Sequence, residues 1–400
     1  MGRVNTHVSR REISSVLGYV AVFLSLIYYI YSKSDLTSFI SVGQRYLMIL
    51  MALITLIKLV FKDRYNLRRM FLLMCFLLIS IIIFYFSKDE FPVILSLLLI
   101  CSCDLDFDVI TNVSYKIIIV CLSFLLILSL SGVLNNFTIM RGDAPRYAFG
   151  TIQPTIFSAI CFFGIAAYAY KNRGSFKIYQ LIILAFLIIL VNHFTGSRND
   201  TISMIMLLLI PLIKELLDTK FIGHLLKIVL ILSYPINAAI VMIATNAFKY
   251  NYGIYNGINY DYFLSGRLRL GALALHLYPL KMLGQQVTMN GNGNGNFFIN
   301  QSDYFFIDSS FLLMLLKYGI IFTTLFLLFN VYLMIRLIRG KYYCLAIILA
   351  IVGFEGSFQL TIPQYLNIFA VCLSIYKFNP DNSIQPITHI FKLPKIVWSK

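Results

Sequence analysis

The sequence predicts an all-α, polytopic integral membrane protein, and three observations carry that prediction. Apolar residues make up 59% of the 400-residue chain and charged residues only 12%, about half the charged share of a soluble domain. Mean hydropathy is +0.81. The apolar residues also fall in continuous runs of bilayer-spanning length, unlike the roughly ten-residue alternating segments of an outer-membrane barrel. A chain in lipid must satisfy its backbone N–H and C=O groups internally, so such runs read as helices.

About 12 transmembrane helices are expected, near 13–31, 42–61, 70–86, 91–103, 115–134, 156–170, 178–193, 201–213, 225–247, 310–335, 342–358 and 363–376. They make residues 1–400 a single transmembrane domain. The first run follows Arg10 and Arg11 like a signal sequence, but it lacks a cleavage site and is long enough to stay as an anchor. Runs 91–103 and 201–213 are short enough to be re-entrant.

If every run crosses, one set of loops holds Arg3, Arg10, Arg11, Lys62, Arg64, Arg68, Arg69, Lys116, Lys171, Arg173, Lys177, Lys214, Lys220, Lys227, Arg336, Arg339, Lys341, Lys377, Lys392, Lys395 and Lys400. The opposite set is sparser: Lys33, Arg45, Lys88, Arg141, Arg146, Arg198, Lys249, Arg267, Arg269 and Lys281. The richer set is cytoplasmic by the positive-inside rule. Both termini then lie inside, with 377–400 a cytoplasmic tail. Residues 248–309 form one large periplasmic loop between helices 9 and 10. The net charge of +16 thereby encodes orientation, and no nucleic-acid partner is expected. The loop at 104–116 fits least well, with three aspartates against Lys116, but acidic residues weigh little in the rule.

Several chemistries are excluded. The seven cysteines all lie in or beside apolar runs, where thiols behave as small hydrophobes. Cys101 and Cys103 have no second pair or nearby histidine to complete a metal site, so no metal and no cofactor are expected. There is no P-loop, HExxH or serine nucleophile elbow. The run from Asn290 to Asn296 contains GxG spacings, but no strand precedes it and no helix follows. It reads as a flexible tether or plain linker, not a dinucleotide site.

The polar residues that remain concentrate in the large loop and its neighbours. Arg141 and Arg146 sit in RGDAPRYAFG, Arg198 in TGSRND, Arg267 and Arg269 in SGRLRLG. Outward arginines run against the usual bias, and guanidinium binds phosphate bidentately. Together they suit a pyrophosphate whose lipid tail stays in the bilayer. Taken singly, each could instead anchor to lipid headgroups or pair with Asp143, Asp200 or Asp261. Asp308 opens DSSFLLMLLKYGIIF at a partly dehydrated boundary where a carboxylate could act as general base. Its local alternative is an N-cap. His276, in LALHLYPL, is the second candidate base and His193 a third. Tyr260, Tyr262 and Tyr304 could stack on sugars, or belong to an interfacial aromatic belt.

These stretches (RYAFGTIQPT before a crossing, TGSRND in a short turn, SGRLRLGALALHLYPLKMLG in the large loop and DSSFLLMLLKYGII opening the next helix) resemble the O-antigen polymerases of the Wzy type. That group also includes the O-antigen ligases. The resemblance implies a glycosyltransferase of the bacterial inner membrane. It would use undecaprenyl-pyrophosphate-linked oligosaccharide on the periplasmic face, among membrane lipids and with a chain-length regulator protein as a further partner. It assigns Arg198, Arg267 and Arg269 to the pyrophosphate, with Arg146 a weaker match. Many relatives carry histidine near Asp308, so this chain departs from them there. A ligase to lipid A-core, or a flippase of lipid-linked oligosaccharide, are the alternatives. A flippase would place charges within its crossings, where this sequence has little beyond Lys58, Lys317 and Glu355; its polar residues concentrate in one outward loop, which favours an enzyme.

Overall fold

A computed structural model describes residues 10–61, 66–141, 144–251, 254–255, 258–291, 304–375 and 378. The tail expected at 377–400, apart from Phe378, and most of the Asn-Gly run lie outside them.

The chain is mostly helical. In order, the helices are α1 (Arg10–Ser32), α2 (Gln44–Phe61), α3 (Leu67–Ser87), α4 (Phe91–Ser102), α5 (Phe107–Leu130), α6 (Pro154–Lys171), α7 (Ile178–Thr195), α8 (Arg198–Leu208), α9 (Ile210–Leu217), α10 (Phe221–Ile231) and α11 (Ser233–Asn251). After them come α12 (Tyr260–Phe263), α13 (Arg267–Leu277), α14 (Ser310–Leu313), α15 (Gly319–Arg339) and α16 (Tyr343–Phe358). Two small hairpins pair β1 (Thr138–Arg141) with β2 (Ala144–Tyr147), and β3 (Ile254–Tyr255) with β4 (Ile258–Asn259). Among the described residues, seven helices are long and apolar enough to cross a membrane, or eight if α10 and α11, bent by 67°, form one span.

Local chemistry sets these boundaries. The Asn66 side chain accepts from Arg69 N–H at 3.2 Å to start α3, and Asp106 accepts from Asp108 N–H at 2.9 Å to start α5. Gly196, at φ +58°, ends α7 in the left-handed conformation. The expected run 201–213 is split into α8 and α9 ahead of Pro211, and 225–247 into α10 and α11 ahead of Pro235. In both places the proline sits in the first turn of the new helix, where its missing N–H costs nothing.

α4 is only 12 residues, about 18 Å, but every one of them is buried. It lies against α1, α2 and α3, and Ser96 donates to Ser80 at 2.8 Å. A short helix sheathed by others has no mismatch with lipid to relieve. By contrast α2, α3 and α7 expose large apolar side chains such as Leu53, Leu78 and Phe186, as lipid-facing helices do.

The stretch expected as the last crossing is no α-helix. It is a turn followed by a six-residue 3-10 helix at Ile368–Leu373. It still carries the chain from one end of the bundle to the other, because Gln359 holds α14 while the Ile375 carbonyl accepts from Arg336 at the end of α15. Ile362, Leu366, Phe369, Val371 and Ile375 are all buried. Backbone without α-helical bonding is tolerated at such depth only when protein surrounds it.

Candidate functional site

The polar groups gather where α13, α14 and the turn after α16 meet. Gly266, at φ +81°, opens α13 and puts Arg267 on its first turn. Gly271 lets that helix close on its neighbours: a Cβ there would lie 3.0 Å from Thr245 on α11 and 3.1 Å from Leu312 on α14. On α14 the cap is Ser309, whose hydroxyl accepts from Leu312 N–H at 3.4 Å. The capping role open to Asp308 in the sequence is therefore taken by its neighbour. Asp308 turns instead to Arg267, with Nε 3.4 Å from Oδ2.

Asp308 is the wall between two spaces. On one side is a narrow cleft lined by Thr245, Arg267, Ser309 and Ser357. On the other is a cavity of about 240 Å³ lined by Lys33, Gln153, Asn290, Gln359 and Gln364. Ser310 ties down the floor, donating to the Gln359 carbonyl at 2.6 Å and accepting from Thr361 N–H at 3.0 Å and Ile362 N–H at 3.1 Å. Tyr29 donates to Gln364. On the loop side, Asn290 and Phe305 exchange backbone bonds of 2.7 and 2.9 Å.

Burial pushes the Asp308 carboxyl above the usual carboxylate range, against the opposing pull of Arg267. About a quarter of the side chain still reaches solvent (27%), which moderates that push. Burial, reinforced by Asp308 and opposed by Arg267, lifts the Tyr304 hydroxyl to about 12, so at neutral pH it is a donor. Burial lowers the Lys33 ammonium; Asp89 opposes that shift and Lys317 adds to it.

Of the residues singled out in the sequence, the fold brings Arg267, Asp308 and Tyr304 together. Arg269 is exposed, and its backbone N–H donates to Asp261 at 3.1 Å. Arg198 is exposed at the start of α8. Arg146 donates from Nε to the Thr195 carbonyl at 2.5 Å and packs on Gly196. Neither lines the two spaces beside Asp308. Of Arg141 and Tyr260 only the backbone is described. Tyr262 is exposed, His193 is exposed on the last turn of α7, and His276 is exposed on the last turn of α13. Nine residues of helix, about 14 Å, separate His276 from Arg267.

Two arrangements were not anticipated, although the sequence marks Glu355 as a charge within a crossing and Asp200 as a partner open to an arginine. Lys33 reaches the cavity from the end of α1. Beneath it, Asp200 on α8 and Glu355 on α16 are fully buried and lie against one another. Ser197 donates to Asp200 and Ser203 to Glu355. Asp200 Oδ1 and Glu355 Oε1 find no donor among the described residues. Ionised carboxylates only accept, so a contact between two of them is satisfied when one proton lies between. A carboxylate inside an apolar run was the available signal for Glu355.

Comparison with protein-family models, curated proteins and solved structures finds no match to this chain.

Proposed function

We propose that this chain is a membrane-embedded polysaccharide polymerase. It would transfer a growing glycan from a lipid pyrophosphate to the non-reducing end of an incoming lipid-linked repeat, at the membrane face opposite the cytoplasm. The observation that carries the reading is the Arg267–Asp308 pair standing between a narrow cleft and a polar cavity. Asp308, held beside a fixed guanidinium, takes the proton of the acceptor hydroxyl. The hydroxyl oxygen bonds to the anomeric carbon as that carbon's bond to the pyrophosphate oxygen breaks. The pyrophosphate leaves with the bonding pair, and Arg267 stabilises the charge that builds on it. Amide side chains at Gln153, Asn290, Gln359 and Gln364 supply donors and acceptors for sugar hydroxyls.

A second reading, a carrier of lipid-linked oligosaccharide, draws on the buried Asp200–Glu355 pair, since intramembrane carboxyl groups often mark transport paths. Surface lipopolysaccharide on a gel separates the readings. The host lacks this gene and is complemented with wild type or Arg267→Ala. Under the polymerase reading the wild-type ladder collapses to core plus one repeat in the variant. Loss of all core-attached glycan, with single repeats trapped on the cytoplasmic face, would replace it with the carrier; polymer trapped on the outer face would replace it with a ligase. An intact ladder in the uncomplemented null host would sink the O-antigen assignment.

A further inference from the structure

A buried group of oxygen atoms lies beneath the polar cavity, where two helices break. Gly196 separates α7 from α8, so Ser197 caps α8 and Asp200 stands in its first turn. Glu355 lies in the last turn of α16, and Gln359 follows as the chain unwinds. Asn199 fastens the two ends, its Nδ2 donating to the Glu355 carbonyl at 3.2 Å. Asp200, Glu355 and Ser158 are wholly buried, and Gln359 is 7% exposed. Ser158 on α6 and Gln359 both come within hydrogen-bonding reach of the Asp200 carboxyl. Four oxygens here have no hydrogen-bond partner among the described residues: Asp200 Oδ1, Glu355 Oε1, Ser158 Oγ and Gln359 Oε1. The neighbouring atoms are committed. Ser197 donates to the other Asp200 oxygen, Ser203 to the other Glu355 oxygen, and Gln359 Nε2 to the Thr155 carbonyl at 3.2 Å.

Charge decides what these oxygens can hold. A proton shared by Asp200 and Glu355 still leaves the pair with one net negative charge. Neither carboxyl makes an ion pair among the described residues, and a buried charge without a counter-ion is costly. Water would supply donors but no charge. A monovalent cation brings the site to neutrality while the shared proton stays. Oxygen ligands select hard cations. Calcium takes about six to eight oxygens, and magnesium gives up its waters reluctantly. Four protein oxygens in a dry, singly charged site suit sodium better than either.

We infer that Asp200, Glu355, Ser158 and Gln359 bind a sodium ion alongside the proton that the two carboxyls share. The way in is past Gln359, which lines the polar cavity with Tyr29 and Thr155 and also reaches Asp200. An unwound chain at the C-terminal end of a membrane helix is a setting in which transporters bind sodium. The site would tie α6, α8 and α16 together whether or not the chain polymerises glycan.

The test uses the full chain in detergent at neutral pH, with radiolabelled sodium as the probe and choline chloride holding ionic strength constant. Wild type should bind sodium saturably, a single ion per chain. It should also melt at a higher temperature in sodium chloride than in choline chloride, because a ligand of the folded state stabilises that state. Glu355→Gln mimics the protonated acid and keeps the net charge, so it should bind within about threefold of wild type. Asp200→Asn combined with Glu355→Gln removes the charge and should weaken binding by more than about tenfold; its melt in choline chloride shows that it folds. Ser158→Ala removes one neutral ligand and should weaken binding about fivefold. Asp218→Asn, exposed at the end of α9, controls for surface charge and should bind as wild type. Wild type without saturable sodium binding overturns the inference, as does full binding by the double variant or equal weakening by Asp218→Asn. If the double variant does not fold, unchanged affinity in Ser158→Ala overturns it instead. Potassium competing equally would make the ion a non-selective counter-ion. Calcium binding that Glu355→Gln abolishes would give the site to a divalent cation. Either result also overturns the inference.

Discussion

Replacing Gly319 by alanine should detach a segment of the large loop from the bundle. Gly319 ends a π-helical turn at Met314–Tyr318, with φ +87° and ψ 173°, a region open almost only to glycine. The opposing strap crosses it at Gly284, φ +82°. A Cβ on Gly319 would stand 2.3 Å from Gly284 N and 2.5 Å from the Met282 carbonyl, both backbone atoms that no side-chain rotation can clear. Three backbone bonds cross this junction: Gln285 N–H to Lys317 O, Ile320 N–H to Lys281 O and Ile321 N–H to Met282 O, each 3.1 Å. Conformational strain costs about 1–3 kcal/mol, and each lost bond about 1 kcal/mol. Together they amount to about 4–6 kcal/mol, a rise of about a thousandfold or more in the opening equilibrium. Hydrogen–deuterium exchange on detergent-solubilised protein reads it directly. Peptides over 281–291 should exchange faster by that factor while those from α6 do not change. Gly43→Ala is the control, since the nearest neighbour of a Cβ there is the Tyr46 ring at 3.7 Å. Exchange over 281–291 within threefold of wild type in Gly319→Ala would refute the reasoning.

Arg267→Ala should lower turnover about a hundred- to thousandfold, the usual cost of one donor to a developing oxyanion. Arg267→Lys should recover only part of this, because it keeps the charge and loses the fork; turnover of purified enzyme on lipid-linked repeats measures both. Asp308 must be ionised to act as a base and burial raises its carboxyl, so the acid limb of the pH–rate profile should lie above the ordinary carboxylate range; Asp308→Asn should abolish turnover at every pH. Glu355→Gln should melt near wild type in detergent, because the amide can donate to Asp200. Glu355→Ala should lose about 1–3 kcal/mol by leaving Asp200 and the Ser203 hydroxyl without that partner.

The apolar runs made most helices legible, since length and composition alone specify a spanning helix. α6 was expected at 156–170 and occupies Pro154–Lys171; α7 was expected at 178–193 and occupies Ile178–Thr195. The misses have local causes. Pro211 and Pro235 each end one helix and start another within a single apolar run. Hydropathy does not register the difference between an α-helix and the buried 3-10 passage at Ile368–Leu373, because both are apolar. At the candidate site, Arg267 stood out as an arginine in an outward loop, against the usual charge bias, and Asp308 as a carboxylate where that loop enters a membrane helix. Lys33 did not, since its place in the cavity depends on how α1 packs. The Asp200–Glu355 contact joins residues from distant parts of the chain, and no spacing rule reaches that far.

The unwound passage between Gln359 and Ile375 also bears on how the protein is made. A translocon releases segments into lipid one after another, and a segment with few internal backbone bonds is a poor candidate for release alone. This one has to slide into a slot that α4, α5 and α15 have already formed around it. The passage would then close the bundle after the helices that flank it are in place. Topology reporters fused just after Phe358 would sample an unfinished barrel of helices with an empty slot, and their readings there should differ from those of fusions placed beyond Phe378.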